Sequence, residues 1–224
     1  MKTVTDLDVR LDAVDWGDPR EHVIDAAAIL RDLADNRELL SSLVHGVPDT
    51  PRLMARSEQH PVMTRLLLTE HPEARWCLRL HYFHGALRDL TPHTHKRPFV
   101  ARTLTGNYLH AWHRRTDGRE AGPFTSAELT PGIIAVENAG TGYGLGDPLI
   151  HQTIMEAGTA TLFLSGPDGQ PTWWAAEDDL NGGVQQMKQD DASGRSFPLT
   201  PEGHTTVARD LAERGIITAR TELL

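Results

Sequence analysis

From Trp76 to Ala175 the sequence falls into short runs of alternating residues, each closed by a turn signal, and this rhythm constrains the fold most. The first run is Trp76-Cys77-Leu78-Arg79-Leu80-His81-Tyr82-Phe83. Further strand candidates lie at 98–105, 107–114, 132–137, 149–156, 159–164 and 171–175. Gly106-Asn107, Asp117-Gly118, Gly140-Thr141-Gly142, Ala157-Gly158 and Asp168-Gly169 separate them. Alternation with a period of two gives each strand one inner and one outer face. Many short strands at regular spacing build a sandwich or a barrel. No strand–helix–strand alternation accompanies them, and no glycine fingerprint for phosphate is present, which excludes a dinucleotide-binding fold.

The flanks read as helical. Asp18 is an N-cap with Pro19 at the first helical position, and Val23, Ala26, Ala27, Leu30 and Leu33 follow at helical spacing until Asn36. A second helix is expected over 37–44 and a third within 52–70. Residues 181–183 and 190–194 read as exposed loop, and a last helix runs from Thr200-Pro201-Glu202 to about Arg214, with Gly215 as its stop. The expected class is therefore mainly β, a barrel with N-terminal helices and a C-terminal helix. Its sections are a helical part over 1–72, the barrel over 73–180, and a loop plus helix over 181–224.

The formal net charge of −9 disfavours nucleic acid and anionic membranes as partners. One cysteine, Cys77, excludes an internal disulfide and fits a reducing cytoplasm. Residues 1–8 lack the apolar segment of a secretory signal. No run approaches the ~18 apolar residues of a membrane span. A nucleophilic G-x-S-x-G elbow is missing as well.

Chemistry concentrates in the histidines. His93 and His95 stand two apart at the mouth of a strand, so both point to one side of it. With 12 histidines in the chain, chance alone supplies roughly 0.6 such pairs, so the pair needs its context. That context is a preceding Pro92, a following strand closed by Gly106, and His151, which follows Pro148 and opens a later strand. The spacing suits three imidazoles around one divalent metal. The competing reading is a set of polar loop histidines that only hydrogen-bond. Histidines three apart on a strand, such as His110 and His113, face opposite ways and do not form a second site.

The stretch 80–106, with His151 and the strand after it, resembles the two motifs of the cupin superfamily, a jelly-roll β-barrel family. Most cupins place a glutamate four or five residues after the second histidine. Here those positions hold Phe99 and Val100. The lost carboxylate resembles the thiol dioxygenase branch, of which cysteine dioxygenase is the best-known member. That resemblance implies Fe(II) held by His93, His95 and His151 alone. Val100 stands where some members carry a crosslinked cysteine, so no Cys–Tyr crosslink forms here.

Three neutral ligands leave the full metal charge available to an anionic substrate. Arg79 and His81 alternate on the first strand and are candidate substrate-binding residues. Val100, Arg102 and Leu104 share a face, which makes Arg102 a candidate for the cavity, in substrate binding and catalysis. An arginine there clamps a carboxylate or sulfonate. Tyr143, in the glycine-rich loop before His151, is the candidate hydroxyl donor. Tyr82 and Tyr108 are its alternatives, while Trp173-Trp174 reads as packing. Hydrolysis at zinc wants a carboxylate base, and neither Glu137 nor Glu156 sits at a motif position.

The expected function is a mononuclear Fe(II) oxygenase or dioxygenase acting on a small anionic or zwitterionic substrate, thiol or amino-acid-like. Zn, Ni, Mn, Co and Cu all suit the same ligands. The rivals are a cupin lyase or isomerase using its metal as a Lewis acid, and a non-catalytic cupin that binds a small ligand. The expected partners are that small molecule and dioxygen, and barrel-edge strands offer a route to a homodimer.

Overall fold

A computed structural model describes residues 3–60, 63–176 and 197–220. Helix α1 (Val4–Asp12) starts in a capping box between Thr3 and Asp6. Helix α2 (Pro19–Ala34) starts where the sequence indicates, with the Asp18 side chain accepting from the Arg20 and Glu21 amides. Asn36 ends the run and caps α3 (Arg37–Gly46). Helix α5 (Pro201–Glu213) is capped by Thr200, and Gly215 follows it at a φ of +75°.

The third helix is much shorter than expected. Only α4 (Pro51–Ala55) is helical within 52–70, and strands β1 (Glu58–Gln59) and β2 (Met63–Glu70) follow. The apolar run Leu66-Leu67-Leu68 in β2 is buried throughout. A strand covered on both faces loses its alternation and then reads like a buried helix.

The remaining strands are β3 (Cys77–Phe83), β4 (Leu87–His93), β5 (Phe99–Thr105), β6 (Asn107–Arg115), β7 (Leu129–Asn138), β8 (Gly142–Leu145), β9 (Ile150–Met155), β10 (Ala160–Ser165) and β11 (Phe197–Pro198). Residues 171–175, expected as a strand, contribute only an isolated bridge from Ala175 to His93. The loop readings at 181–183 and 190–194 fall outside the described residues.

The strands form two antiparallel sheets. One has seven strands in the order β11-β1-β2-β3-β10-β5-β8, the other four in the order β4-β9-β6-β7. The fold is therefore mainly β, with helices at both ends, as expected. It is a two-sheet sandwich and not the closed barrel: among the described residues no ladder joins the two sheets.

Helices cover the outer face of the seven-stranded sheet. Leu66 and Leu68, Leu78 and Leu80, Leu162 and Leu164, and Val100 share one cluster with Leu30, Leu33, Leu40 and Val44 of the helices. Each fully buried leucine of this kind contributes about 1.5–3 kcal/mol. A side chain on Gly144 would meet Val23 at 2.5 Å, so α2 rides directly on β8. Trp76 Nε1 donates to Asp12 Oδ1 at 2.6 Å and ties β3 to the end of α1. None of the described helices is long and apolar enough to cross a membrane.

With its outer face so covered, the large sheet presents its inner face to the small sheet. Gly106 turns β5 on the large sheet into β6 on the small one, at a φ of +75°. A Cβ there would lie 2.7 Å from the Thr159 Cα, a backbone atom. Gly106→Ala is therefore expected to cost roughly 2 kcal/mol or more. A denaturant midpoint equal to wild type would contradict this packing.

Candidate metal centre

Strand pairing brings the histidines together. His93, at the end of β4, lies opposite His151, at the start of β9. Their ring centroids are 4.7 Å apart. His95 follows on the loop, and its amide donates to the Asp147 carbonyl at 3.3 Å. Gln170 clamps the same two segments: its side-chain amide donates to the carbonyl of His95 and, at 2.8 Å, to that of Asp147. Thr94 adds a backbone bond to Trp174 at 2.8 Å. The loop that carries His95 is thus fastened to the segment that leads into β9 and His151.

The donor atoms of His93, His95 and His151 all lie within 4.8 Å of one another. Among the described residues no other trio of His, Cys, Asp or Glu clusters in this way. His93 Nδ1–H donates to the Thr91 carbonyl at 3.0 Å, which fixes the orientation of its ring. His151 is fixed from behind. His110 Nδ1 lies 3.4 Å from Glu137 Oε1, and His110 Nε2 lies 2.8 Å from His151 Nδ1. A carboxylate only accepts, so His110 carries its proton on Nδ1 and accepts on Nε2 from His151 Nδ1–H. His151 Nε2 then carries a lone pair and no proton. It faces His95 Nε2 at 2.7 Å.

Burial keeps His95, His151 and His110 neutral. It moves the pKa of His95 and His151 well below the usual imidazole value, and the crowding of other histidines, with Arg65 near His95, adds to the effect. Burial takes His110 down to about 4. Neutral imidazoles with converging lone pairs are what a late first-row cation requires. At metal–nitrogen bonds of about 2.1 Å, neighbouring nitrogens sit roughly 3 Å apart; the His95 and His151 nitrogens, at 2.7 Å, are already that close, and the wider separations within the 4.8 Å trio close by small ring movements on binding.

The trio forms one wall of a cavity of about 280 Å³ between the sheets. Arg79 and His81 of β3 line the opposite wall, as their alternation predicts. Arg79 makes no hydrogen bond or ion pair among the described residues. His81 stacks on Phe163 at 4.8 Å, and Phe163 stacks on Phe99 at 4.5 Å. Burial, then Arg65 and Arg79, hold the His81 pKa well below its usual value. Tyr143 also lines the cavity, and burial raises its pKa, so it presents a protonated hydroxyl.

Arg102 does not line this cavity. Phe99 and Ala101 are the cavity residues of β5, whereas Val100 and Leu104 pack into the helix-covered core. Val100, Arg102 and Leu104 do share a face, but it is the outer one. Arg102 lines a separate pocket of about 290 Å³ with Asp35, Arg37 and Arg214. Of Phe99 and Val100, the residue beside the histidine trio is Phe99, whose ring lies 4.6 Å from His95. The Tyr82 hydroxyl donates to Asp210 on α5 at 3.2 Å, away from the site, and Gln152 meets His113 at 2.9 Å.

Three residues escape the sequence reading. Arg65 hides in the segment expected to be a helix, yet it lines the cavity and donates to Glu58 at 3.2 Å. His110 and Glu137 support His151 from adjacent strands. The available signal was Glu137 itself, the one charged residue in the otherwise apolar run 132–137.

No protein-family model matches the chain, and no curated protein matches it. Among solved structures it is similar to an RmlC-like cupin from Shewanella frigidimarina, with 14% identity over 51% of this chain and 86% of that one, at a TM-score of 0.37. It is similar to KdgF from Halomonas sp., with 13% identity over 50% of this chain and 87% of that one, at a TM-score of 0.36. It is also similar to a hydroquinone 1,2-dioxygenase from Sphingomonas sp. with 4-hydroxybenzoate bound, with 11% identity over 47% and 66%, at a TM-score of 0.33.

Glu58 anchors the cationic wall. Its hydrogen bond to His60, with the charges of Arg65 and Arg79, lowers its pKa from 4.5 to about 2. A carboxyl that is more acidic when folded adds stability above pH 4.5, and that stability is lost as pH falls toward about 2. Its side chain is 34% exposed, so solvent screening keeps the slope modest. Glu58→Gln is expected to flatten the acid side of the stability curve, read as urea midpoints from about pH 2 to 6. Equal slopes in both proteins would refute the assignment.

Proposed function

We propose that the chain is a mononuclear non-haem Fe(II) oxygenase of the cupin type, acting on a small anionic or zwitterionic molecule. One observation carries the reading: the imidazoles of His93, His95 and His151 converge on one wall of a cavity whose facing wall presents the guanidinium of Arg79, which has no hydrogen-bond or ion-pair partner among the described residues. His93, His95 and His151 would hold the metal. When bound, a ferrous ion supplies the redox chemistry for dioxygen and leaves positions open for substrate.

The chain's own residues then divide the work. Arg79 binds the anionic group through paired N–H donors. Arg65, held by Glu58, adds positive potential beside it. Phe99 and Phe163 form an aromatic wall that excludes water. His81, kept neutral, orients the substrate from the same strand as Arg79. The Tyr143 hydroxyl donates a hydrogen bond into the cavity. A volume of about 280 Å³ holds roughly nine water-sized groups, which suits an amino acid or a thiol acid. Cys77 is free and buried, in keeping with a reducing cytoplasm.

The test is oxygen uptake by Fe(II)-loaded protein against a panel of thiol and amino-acid substrates. Uptake that depends on substrate is expected, with loss of at least 100-fold in His93→Ala and His151→Ala. Both variants are also expected to lose stoichiometric metal. Arg79→Ala is expected to raise KM by roughly tenfold or more while changing kcat less. Turnover without oxygen would replace this reading with Lewis-acid chemistry. Full metal stoichiometry in both histidine variants would end it.

A further inference from the structure

We infer that Glu137, acting through His110, is a positioning residue for the metal: the pair sets the tautomer of His151 and strengthens its donor nitrogen. The inference rests on the trio being a metal site, but not on oxygen chemistry. Its basis is a continuous buried chain from Glu137 Oε1 to His110 Nδ1 at 3.4 Å and from His110 Nε2 to His151 Nδ1 at 2.8 Å. It ends at His151 Nε2, inside the trio.

Burial makes the arrangement expensive for a purely architectural purpose. His110 is 0% exposed and Glu137 is 8% exposed. Buried polar groups cost stability unless each finds a partner, and an apolar pair would fill the same strand positions without that cost. Their placement also follows from the sheet. Glu137 lies opposite Tyr108 across the β6–β7 ladder, and His110 is two residues along β6, on the same face. On the other side His110 pairs with Thr153 of β9, two residues from His151 on its inner face. Three adjacent strands therefore hand one proton-bonded chain across the sheet. Tyr143 closes it from the facing sheet, its ring centroid 4.5 Å from that of His110.

The effect on the metal follows from charge. Neither Phe99 nor Val100 brings an anionic ligand to the trio. Glu137 supplies a negative charge two imidazoles away instead. A metal-bound histidine whose far nitrogen donates toward a carboxylate is a better donor and is held in one orientation. The charge is transmitted without occupying a coordination position.

Cobalt(II) titration of the full-length protein tests this. Glu137→Gln and His110→Phe are each expected to bind cobalt about 10–100-fold more weakly than wild type. The visible absorption of the bound cobalt is expected to shift in Glu137→Gln. The unfolding midpoint of metal-free Glu137→Gln serves as the measure of a merely structural role, and it is expected to change little. His110→Phe keeps the test open if Glu137→Gln does not fold. Wild-type-like affinity and spectrum in the variants would overturn the relay while leaving the metal site intact. Absence of cobalt binding by wild type would overturn both.

Discussion

The antiparallel ladder between β4 and β9 is the constraint on which the site depends. It sets His93 directly across from His151. A slip of one residue would turn one ring toward the outer face. The ladder is irregular between Asp89 and His93, so the strand is re-aimed just before its ligand. The loop that carries His95 is then held by backbone bonds to Asp147 and Trp174. The geometry of the trio is thus a property of the small sheet and its loops, and the large sheet contributes the facing wall.

The two sheets differ in what lies behind them. The large one has helices packed over its outer face, and its leucines merge with theirs in one cluster. The small one has no such cover among the described residues. Ile133, Ile134 and Val136 of β7 and Leu109 of β6 remain exposed on it. Rigid backing therefore sits behind Arg79 and His81, while the histidine wall relies on its own polar chain from Glu137 to His151.

Much of this was legible in the sequence. The H-x-H pair, Pro148 and the strand after His151 carried enough local geometry to indicate the trio. Alternation put Arg79 and His81 on one face, and that face lines the cavity because β3 keeps a regular period of two. Arg102 shows the limit of that method. Alternation groups residues into faces but does not say which face is inner. The choice turned on Val100 standing for the missing glutamate, whereas Phe99 is the residue beside His95. Helix packing onto Val100 and Leu104 decided the matter, and that is a tertiary fact. Arg65 was lost because a strand buried on both faces imitates a helix. His110 was read only against His113 on its own strand, and its true partners lie on the strands to either side.

Gln170 gives the cavity two unlike ends. At the histidine end one side-chain amide bridges two carbonyls and fastens the loops that carry His95 and His151. Four residues along β9 from His151, the lining becomes Met155, joined by Met63 and Phe83. Thioether chains shift rotamer readily, and a bridged pair of loops does not. The histidine end is therefore the stiff end of the cavity and the thioether end the adaptable one, so differences in the length of an occupant are absorbed beside the sulfur atoms and not beside the imidazoles.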